Sequence, residues 1–234
     1  MFNNNVLNLL TQFNSMTNSI ILRYPYTVLV SSSADMMVQI PIKDLDNDEF
    51  KEIPLNNSFN EFLMLFKLFG EERDVSFENN VIHISNGNKN SNFITDNVAL
   101  MEAYDRDTSQ FEKTESVPFV AEFELDTLSS KEIKSATGVF KDLDEIIFTS
   151  KDNDMIVSLG ATNKFNAKSN TFSVTKQAQT TKEFSIKIPV ENFKMLPLSD
   201  YKSNIYYNAN KDSYRILLTN KTIENLKILM SVKV

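Results

Sequence analysis

Residues 184–197 read Phe184-Ser185-Ile186-Lys187-Ile188-Pro189-Val190-Glu191-Asn192-Phe193-Lys194-Met195-Leu196-Pro197, with Asp200-Tyr201 close behind. Two periodicities meet in this stretch. From Glu183 to Val190 apolar and polar residues alternate, the period-2 mark of a half-buried strand. The period then lengthens: Phe193 and Leu196 form the core side of a short helix from Glu191 to about Leu196, with Lys194 beside them. Pro197, which has no N–H to donate, stops it. A strand feeding a one-sided helix points to helices laid on a sheet, an α+β arrangement.

The same grammar extends in both directions. Upstream lie an alternating strand, Phe119–Leu125, a helix, Ser129 to about Phe140, a hairpin of Glu145–Ser150 and Met155–Gly160 across Lys151-Asp152-Asn153-Asp154, and a strand, Asn170–Lys176. Downstream, Ile205–Asn208, Tyr214–Thr219 and Leu226–Val234 read as strands. The front half repeats the order without repeating the residues. A helix from Asn5 to about Thr17 carries Val6, Leu9, Leu10, Phe13 and Met16 on one stripe. Strands are predicted at Ser19–Arg23, Thr27–Ser32 and Met36–Pro41. A second helix, Ser58–Phe69, has Asn57 or Ser58 as its cap and Gly70 just past its end. Further strands are predicted at Asp74–Phe77, Val81–Ser85, Asn92–Thr95 and Ala99–Tyr104. Asp105–Ser116 is polar and non-periodic and reads as the connection. The expected domains are therefore 1–110 and 119–234, with a connector at 111–118, each half bearing about two helices and six to nine strands.

Composition removes most enzyme classes. The 234 residues contain no Cys and one His, His83, which excludes thiol nucleophiles, thiolate metal sites and any zinc site or triad needing two imidazoles. With four Gly there is no phosphate-cradling loop motif. In the acidic loop Asp44, Asp46 and Asp48 alternate, but Glu49 and Leu55 stand where a calcium loop needs Gly and Glu, so the loop reads as solvated. The pairs Asp105/Asp107 and Asp152/Asp154 fall in turns. His83 sits opposite Ile82 and Ile84 on an alternating strand and reads as solvent-facing. No metal, cofactor or catalytic residue is expected. The longest unbroken apolar run is Phe62–Phe66, far short of a membrane span, and Met1-Phe2-Asn3-Asn4-Asn5 lacks a signal-peptide pattern. A cytosolic protein is the expectation.

Charge is distributed unevenly. The net of −7 divides into −9 over residues 1–117 and +2 over 118–234, a split compatible with head-to-tail contact between copies or with no role at all. On a helical wheel Ile133, Ala136, Thr137 and Phe140 face a sheet, while Lys131, Lys134 and, if the helix reaches it, Lys141 lie on the other side with Ser135 and Gly138. Glu132 falls off that stripe. In the second helix Phe62, Leu63, Phe66 and Phe69 form the core stripe, and Asn60, Met64 and Lys67 mark the exposed line. Lysines off the core stripe in both halves fit an anionic partner such as a nucleic-acid backbone. Each face taken alone also fits plain solvation.

Three segments resemble the sliding clamp of T-even-type tailed phages, the ring-shaped processivity factor of DNA polymerase. They are the helix Val6–Phe13 running into Thr17–Arg23, the run Leu55–Leu63, and above all Phe184–Pro197 with Asp200-Tyr201. Clamps carry a strand, then a short helix of the form N-[LF]-K-M-[LM]-P, then an Asp-Tyr entering a strand. The resemblance implies two similar domains with helices on one face of antiparallel sheets, closing head to tail as a homotrimeric ring. Twelve inner helices about 8–10 Å apart make a circle roughly 35 Å across. Removing about 5 Å of helix radius on each side leaves a bore of order 25 Å, wide enough for duplex DNA. It implies a non-enzymatic factor that holds the replicative polymerase on its template by topology, placed on DNA by a clamp loader in the cytoplasm of an infected bacterial cell. By helix position the lining role goes to Lys67, Lys131, Lys134, Lys141 and Lys194. Asn5, Asn8 and Gln12 stand where the family usually has basic residues, so DNA contact is expected mainly from the second half. The family also docks short tails of polymerase and loader in an apolar groove near the connector, assigned to Val117, Pro118, Met230 and Val232. The alternative from another class is a phage structural or assembly protein of α+β build whose basic helices face another protein.

Overall fold

A computed structural model of the chain describes residues 4–42, 52–162 and 171–233. The acidic loop with Asp44, Asp46 and Asp48 lies outside the described residues, as does Asn170 at the start of an expected strand. The described chain divides into two compact units. One comprises Met1–Ala34 and Val38–Thr108, the other Asp35–Met37 and Ser109–Val234.

The first unit opens with helix α1 (Asn4–Gln12) and a 3₁₀ turn, Asn14–Met16. Strands β1 (Ile20–Arg23), β2 (Tyr26–Val30), β3 (Met36–Pro41, of which Val38–Pro41 belong here) and β4 (Glu52–Leu55) follow. Helix α2 (Phe59–Phe69) and the strands β5 (Asp74–Glu78), β6 (Val81–Asn86) and β7 (Lys89–Ile94) complete it. β1 pairs antiparallel with β4, and β5, β6 and β7 form an antiparallel meander. The predicted α1 stripe is the buried one: Val6, Leu9, Leu10, Phe13 and Met16 are all in the core. α2 lays Phe62 and Phe66 inward, their rings 4.6 Å apart, with Phe93 of β7 edge-on to Phe62 at 5.8 Å. Gly70, at φ +70°, ends α2 in a backbone conformation that side chains disfavour.

The second unit holds helix α3 (Ser109–Glu115), β8 (Phe119–Leu125), α4 (Thr127–Val139), β9 (Glu145–Lys151), β10 (Asp154–Gly160), β11 (Ser173–Thr180), β12 (Phe184–Pro189), α5 (Val190–Lys194), β13 (Tyr201–Asn208), β14 (Ser213–Asn220) and β15 (Lys227–Lys233). Its strands run in the order β12-β9-β10-β11-β8-β13-β14-β15, every pair antiparallel. The β9–β10 hairpin turns on Asp152 and Asn153 at φ +52° and +63°, the left-handed pair a two-residue hairpin demands. Residues 184–201 build this core. Phe184, Ile186 and Ile188 are buried on β12 while Ser185, Lys187 and Pro189 are exposed. Phe193, Leu196 and Tyr201 are fully buried, and the Tyr201 hydroxyl donates to the Pro197 carbonyl at 2.9 Å.

From α4 onward the second unit repeats the order of the first: helix, four strands of which the first and fourth pair (β1 with β4, β9 with β12), helix, three-stranded meander; α3 and β8 precede the repeat. Several expectations differ from the structure: α1 stops at Gln12 and Asn14–Met16 is a separate 3₁₀ turn rather than its continuation toward Thr17, and β11 is Ser173–Thr180 rather than a strand ending at Lys176. Ala99–Tyr104 is not a strand but the 3₁₀ turns Val98–Leu100 and Glu102–Tyr104, because the Asn97 side chain accepts from the Ala99 N–H and starts a turn. β4 matches no expected element: Pro54 breaks a donor ladder, yet pairing with β1 holds the four residues extended. The non-periodic stretch 105–116 contains α3, whose buried Phe111 and Thr114 anchor about two turns of helix, too short to show a period.

Candidate nucleic-acid interface and partner groove

In each unit two helices present a face away from the core. On α1 that face is Asn5, Asn8, Thr11 and Gln12, exposed and uncharged. On α2 it is Asn60, Glu61, Met64, Lys67 and Leu68, all exposed. α1 and α2 flank a groove of about 300 Å³ lined in part by Asn8, Thr11, Phe66, Lys67 and Arg73. The Arg73 guanidinium lies 5.2 Å from the Phe66 ring centroid and donates to the Gly70 carbonyl. Burial pulls its pKa below the ordinary arginine value.

In the second unit α4 buries Ile133, Ala136 and Thr137 and exposes Lys131, Glu132, Ser135 and Gly138. Its start is fixed by two carboxylates. Asp126 caps the Ser129 N–H at 2.7 Å and meets Lys176 Nζ at 2.5 Å; Asp200 accepts from both the Thr127 N–H (2.7 Å) and the Thr127 hydroxyl (2.8 Å). The lysine hydrogen bond, reinforced by the Ser129 N–H, holds Asp126 at a pKa of about 2. The helix ends at Val139, so exposed Lys141 stands in the turn beyond it.

The five lysines assigned to DNA are not equivalent. Lys67, Lys131 and Lys141 have no ion-pair or carbonyl partner among the described residues. Lys194 pairs with Glu191 one turn earlier at 2.9 Å. Lys134 is half-buried; its ammonium donates to the Lys194 carbonyl at 2.9 Å and to the Leu196 carbonyl, tying α4 to the end of α5, and burial lowers its pKa. Lys134 and Lys194 are thus brought together, while Lys67 belongs to the other unit.

α3 is pinned to the second unit's sheet. Arg215 on β14 donates from Nη1 to Thr114 Oγ1 at 2.8 Å, and Lys227 on β15 binds both Glu115 carboxylate oxygens at 2.6 and 2.8 Å. Beside this attachment opens a groove of about 300 Å³ whose lining includes Thr114, Val117, Tyr206, Tyr207, Ala209 and Arg215. Of the four residues assigned to partner binding, Val117 lines the groove and Pro118 is exposed next to it. Met230 and Val232 are buried on β15, opposite Ile216 and Tyr214 of β14. The tyrosines, Arg215 and Arg73 were not picked out from the sequence. The one available signal was Tyr206-Tyr207 at the end of a strand, a large aromatic surface beside a turn. His83 donates from Nδ1 to Asn92 Oδ1 across β6 and β7 at 2.8 Å, with Ile82 and Ile84 buried on the opposite side. No group of metal-ligating side chains occurs among the described residues, and no helix among them is long and apolar enough to cross a membrane.

No family model matches the chain, and no curated protein sequence does. Solved structures match it closely in shape. The complex of PCNA2 and PCNA3 from Sulfolobus tokodaii aligns at TM-score 0.65 and 9% identity, over 97% of this chain and 94% of that one. PCNA of A. fulgidus bound to the C-terminal region of FEN-1 aligns at 0.64 and 13%, with the same coverage. The H. pylori beta clamp aligns at 0.63 and 10% over 99% of this chain, which spans 62% of that longer protein. With its repeated helix–four strands–helix–meander units, the chain has the fold of the DNA sliding clamps.

Proposed function

We propose that the protein is a DNA sliding clamp of the T-even phage type: a non-enzymatic homotrimer that encircles duplex DNA and tethers the replicative polymerase, installed by a clamp loader in the cytoplasm of an infected bacterial cell. The observation that carries the reading is the duplicated unit. Each unit sets two helices over antiparallel strands, and unpartnered Lys67, Lys131 and Lys141 lie off the buried stripes. In this reading the units correspond to domains 1–110 and 119–234 joined at 111–118. Lys67, Lys131 and Lys141 meet phosphates directly. Lys194 does so in exchange with Glu191, and Lys134 contributes positive potential while holding α5. The net charge of −7 suits a ring that must not adhere to DNA from outside, since holding by topology needs only a mildly favourable lining. Polymerase and loader tails dock beside Val117 and Pro118, with Met230 and Val232 backing the strand that carries Arg215.

Light scattering after size exclusion tests the assembly. Three copies of 26.8 kDa give a particle of about 80 kDa, and a stable monomer at micromolar concentration refutes the ring. Retention on nicked circular DNA, lost on linearisation, tests encirclement. The Lys131→Glu/Lys141→Glu variant should keep the mass and melting temperature and lose retention. Unchanged retention removes α4 from the DNA-facing surface.

A further inference from the structure

The groove beside α3 differs in charge from the chain around it. The protein is net −7, yet the groove lining includes two cations, Lys113 and Arg215, and no carboxylate. Acids that flank it are turned elsewhere: Glu115 is held by Lys227, and Asp212 accepts from the Tyr207 hydroxyl at 2.8 Å. Glu112 adjoins Lys113 in sequence, and neighbours on a helix point about 100° apart. Arg215 is part-buried, and its guanidinium reaches neutral acceptors, Thr114 Oγ1 at 2.8 Å and Gln110 Oε1 at 3.4 Å. It has no carboxylate partner among the described residues, whereas part-buried Arg23 has two, Glu52 at 2.7 Å and Asp105 at 2.6 Å. A guanidinium offers five donors in a planar fork suited to a carboxylate, so most of Arg215's capacity is unused. Around it Val117, 44% exposed, with Tyr206, Tyr207 and Ala209 forms the apolar and aromatic part of a wall that Thr114, Asn208 and Asn210 complete.

We propose that this groove selects a protein tail in which a large apolar side chain is followed directly by a carboxylate, and that Arg215 is the residue that reads the carboxylate. The apolar side chain packs on Val117 and the tyrosines. The carboxylate takes the open edge of the Arg215 fork, with Lys113 adding a second positive charge at the rim. The proposal rests on the clamp reading only in taking the groove as a partner site. It adds the chemistry of what enters, a carboxylate-bearing tail rather than an apolar tail of any charge.

Fluorescence anisotropy with the full chain tests it. The probes are a labelled hexapeptide ending in Leu-Phe with a free C-terminal carboxylate, and the same peptide as its C-terminal amide. The native protein should bind the acid about tenfold more tightly than the amide, the effect of one charge-assisted hydrogen-bonded pair. Arg215→Gln should bring the acid peptide to the affinity of the amide. Arg215→Lys, which keeps the charge without the fork, should retain part of the preference. Val117→Gln should weaken both peptides alike. Each variant is compared by melting temperature, and Arg215→Lys keeps the test decisive where Arg215→Gln folds poorly. Equal affinity for acid and amide, a preference that survives Arg215→Gln, or no binding of either peptide at millimolar concentration overturns the proposal. So does displacement of the acid peptide by a short oligothymidylate in an Arg215-dependent manner, which would make the groove a phosphate site. A monomeric mass or failure to stay on circular DNA strikes at the ring instead, and leaves the acid-to-amide ratio to stand or fall separately.

Discussion

Replacing Asp126 by Asn tests how the α4 helix is anchored, because Asn keeps the cap and removes only the charge. In the folded protein Asp126 titrates at about 2 against an ordinary 3.8, a gap corresponding to about 2.4 kcal/mol at 1.36 kcal/mol per pKa step. The Asp126 side chain is 44% exposed and its Lys176 partner 21%, so solvent screening reduces the usable fraction to about 1 kcal/mol. The sign follows from the depressed pKa. The stabilisation is fully present above the unfolded-state value near 3.8 and is lost as pH falls through about 2. Asp126→Asn should therefore lower the melting temperature at pH 7 by about 2–4 °C, and the difference from the native protein should shrink to nothing toward pH 2. Asp126→Ala should cost about 1 kcal/mol more, because the Ser129 N–H then loses its acceptor. A double-mutant cycle with Lys176→Met, followed by urea unfolding, isolates the pair. The reasoning fails if Asp126→Asn melts with the native protein at pH 7, or if its deficit persists unchanged at pH 2.

Other substitutions probe the packing that presents the helices. Lys134→Met keeps the aliphatic stem but leaves the Lys194 and Leu196 carbonyls without their donor; a loss of about 1–3 kcal/mol in urea unfolding is expected, unlike Lys131→Met, which should be near neutral. Phe193→Ala, at a fully buried site, should cost about 3–5 kcal/mol, and Tyr201→Phe, which removes the bond to the Pro197 carbonyl, about 1 kcal/mol. Gly160→Ala should change stability by less than about 1 kcal/mol, because the atom an added Cβ would meet at 2.4 Å is the Cδ1 tip of half-buried Ile147, which can turn aside; the companion Ile147→Val, which removes that tip, should erase what loss there is in the same assay.

Periodicity carries burial, and burial was legible in the residues. The stripes Val6/Leu9/Leu10/Phe13/Met16, Phe62/Leu63/Phe66/Phe69 and Ile133/Ala136/Thr137 are the buried ones, with Phe140, expected on the last of them, half-buried at the cap of α4, and Phe184/Ile186/Ile188 alternate inward. These are local consequences of a repeat of 3.6 or 2 against a single apolar surface, and neighbours along the chain suffice to reveal them. Short elements escaped for the same reason: β4 and α3 are too brief to display a period, and contacts with distant residues stabilise them. The charges depend on the fold to a greater degree. Lys131 and Lys134 share one side of α4 on the helical wheel, yet Lys131 is unpartnered, and Lys134 binds carbonyls sixty and more residues away at the end of α5. The groove likewise joins Thr114 and Val117 to Tyr207 and Arg215 across about a hundred positions. An apolar side chain needs only to leave water, which its own segment can arrange. A charged or hydrogen-bonding group is defined by the partner it meets, and that partner is chosen when the sheet brings remote strands together.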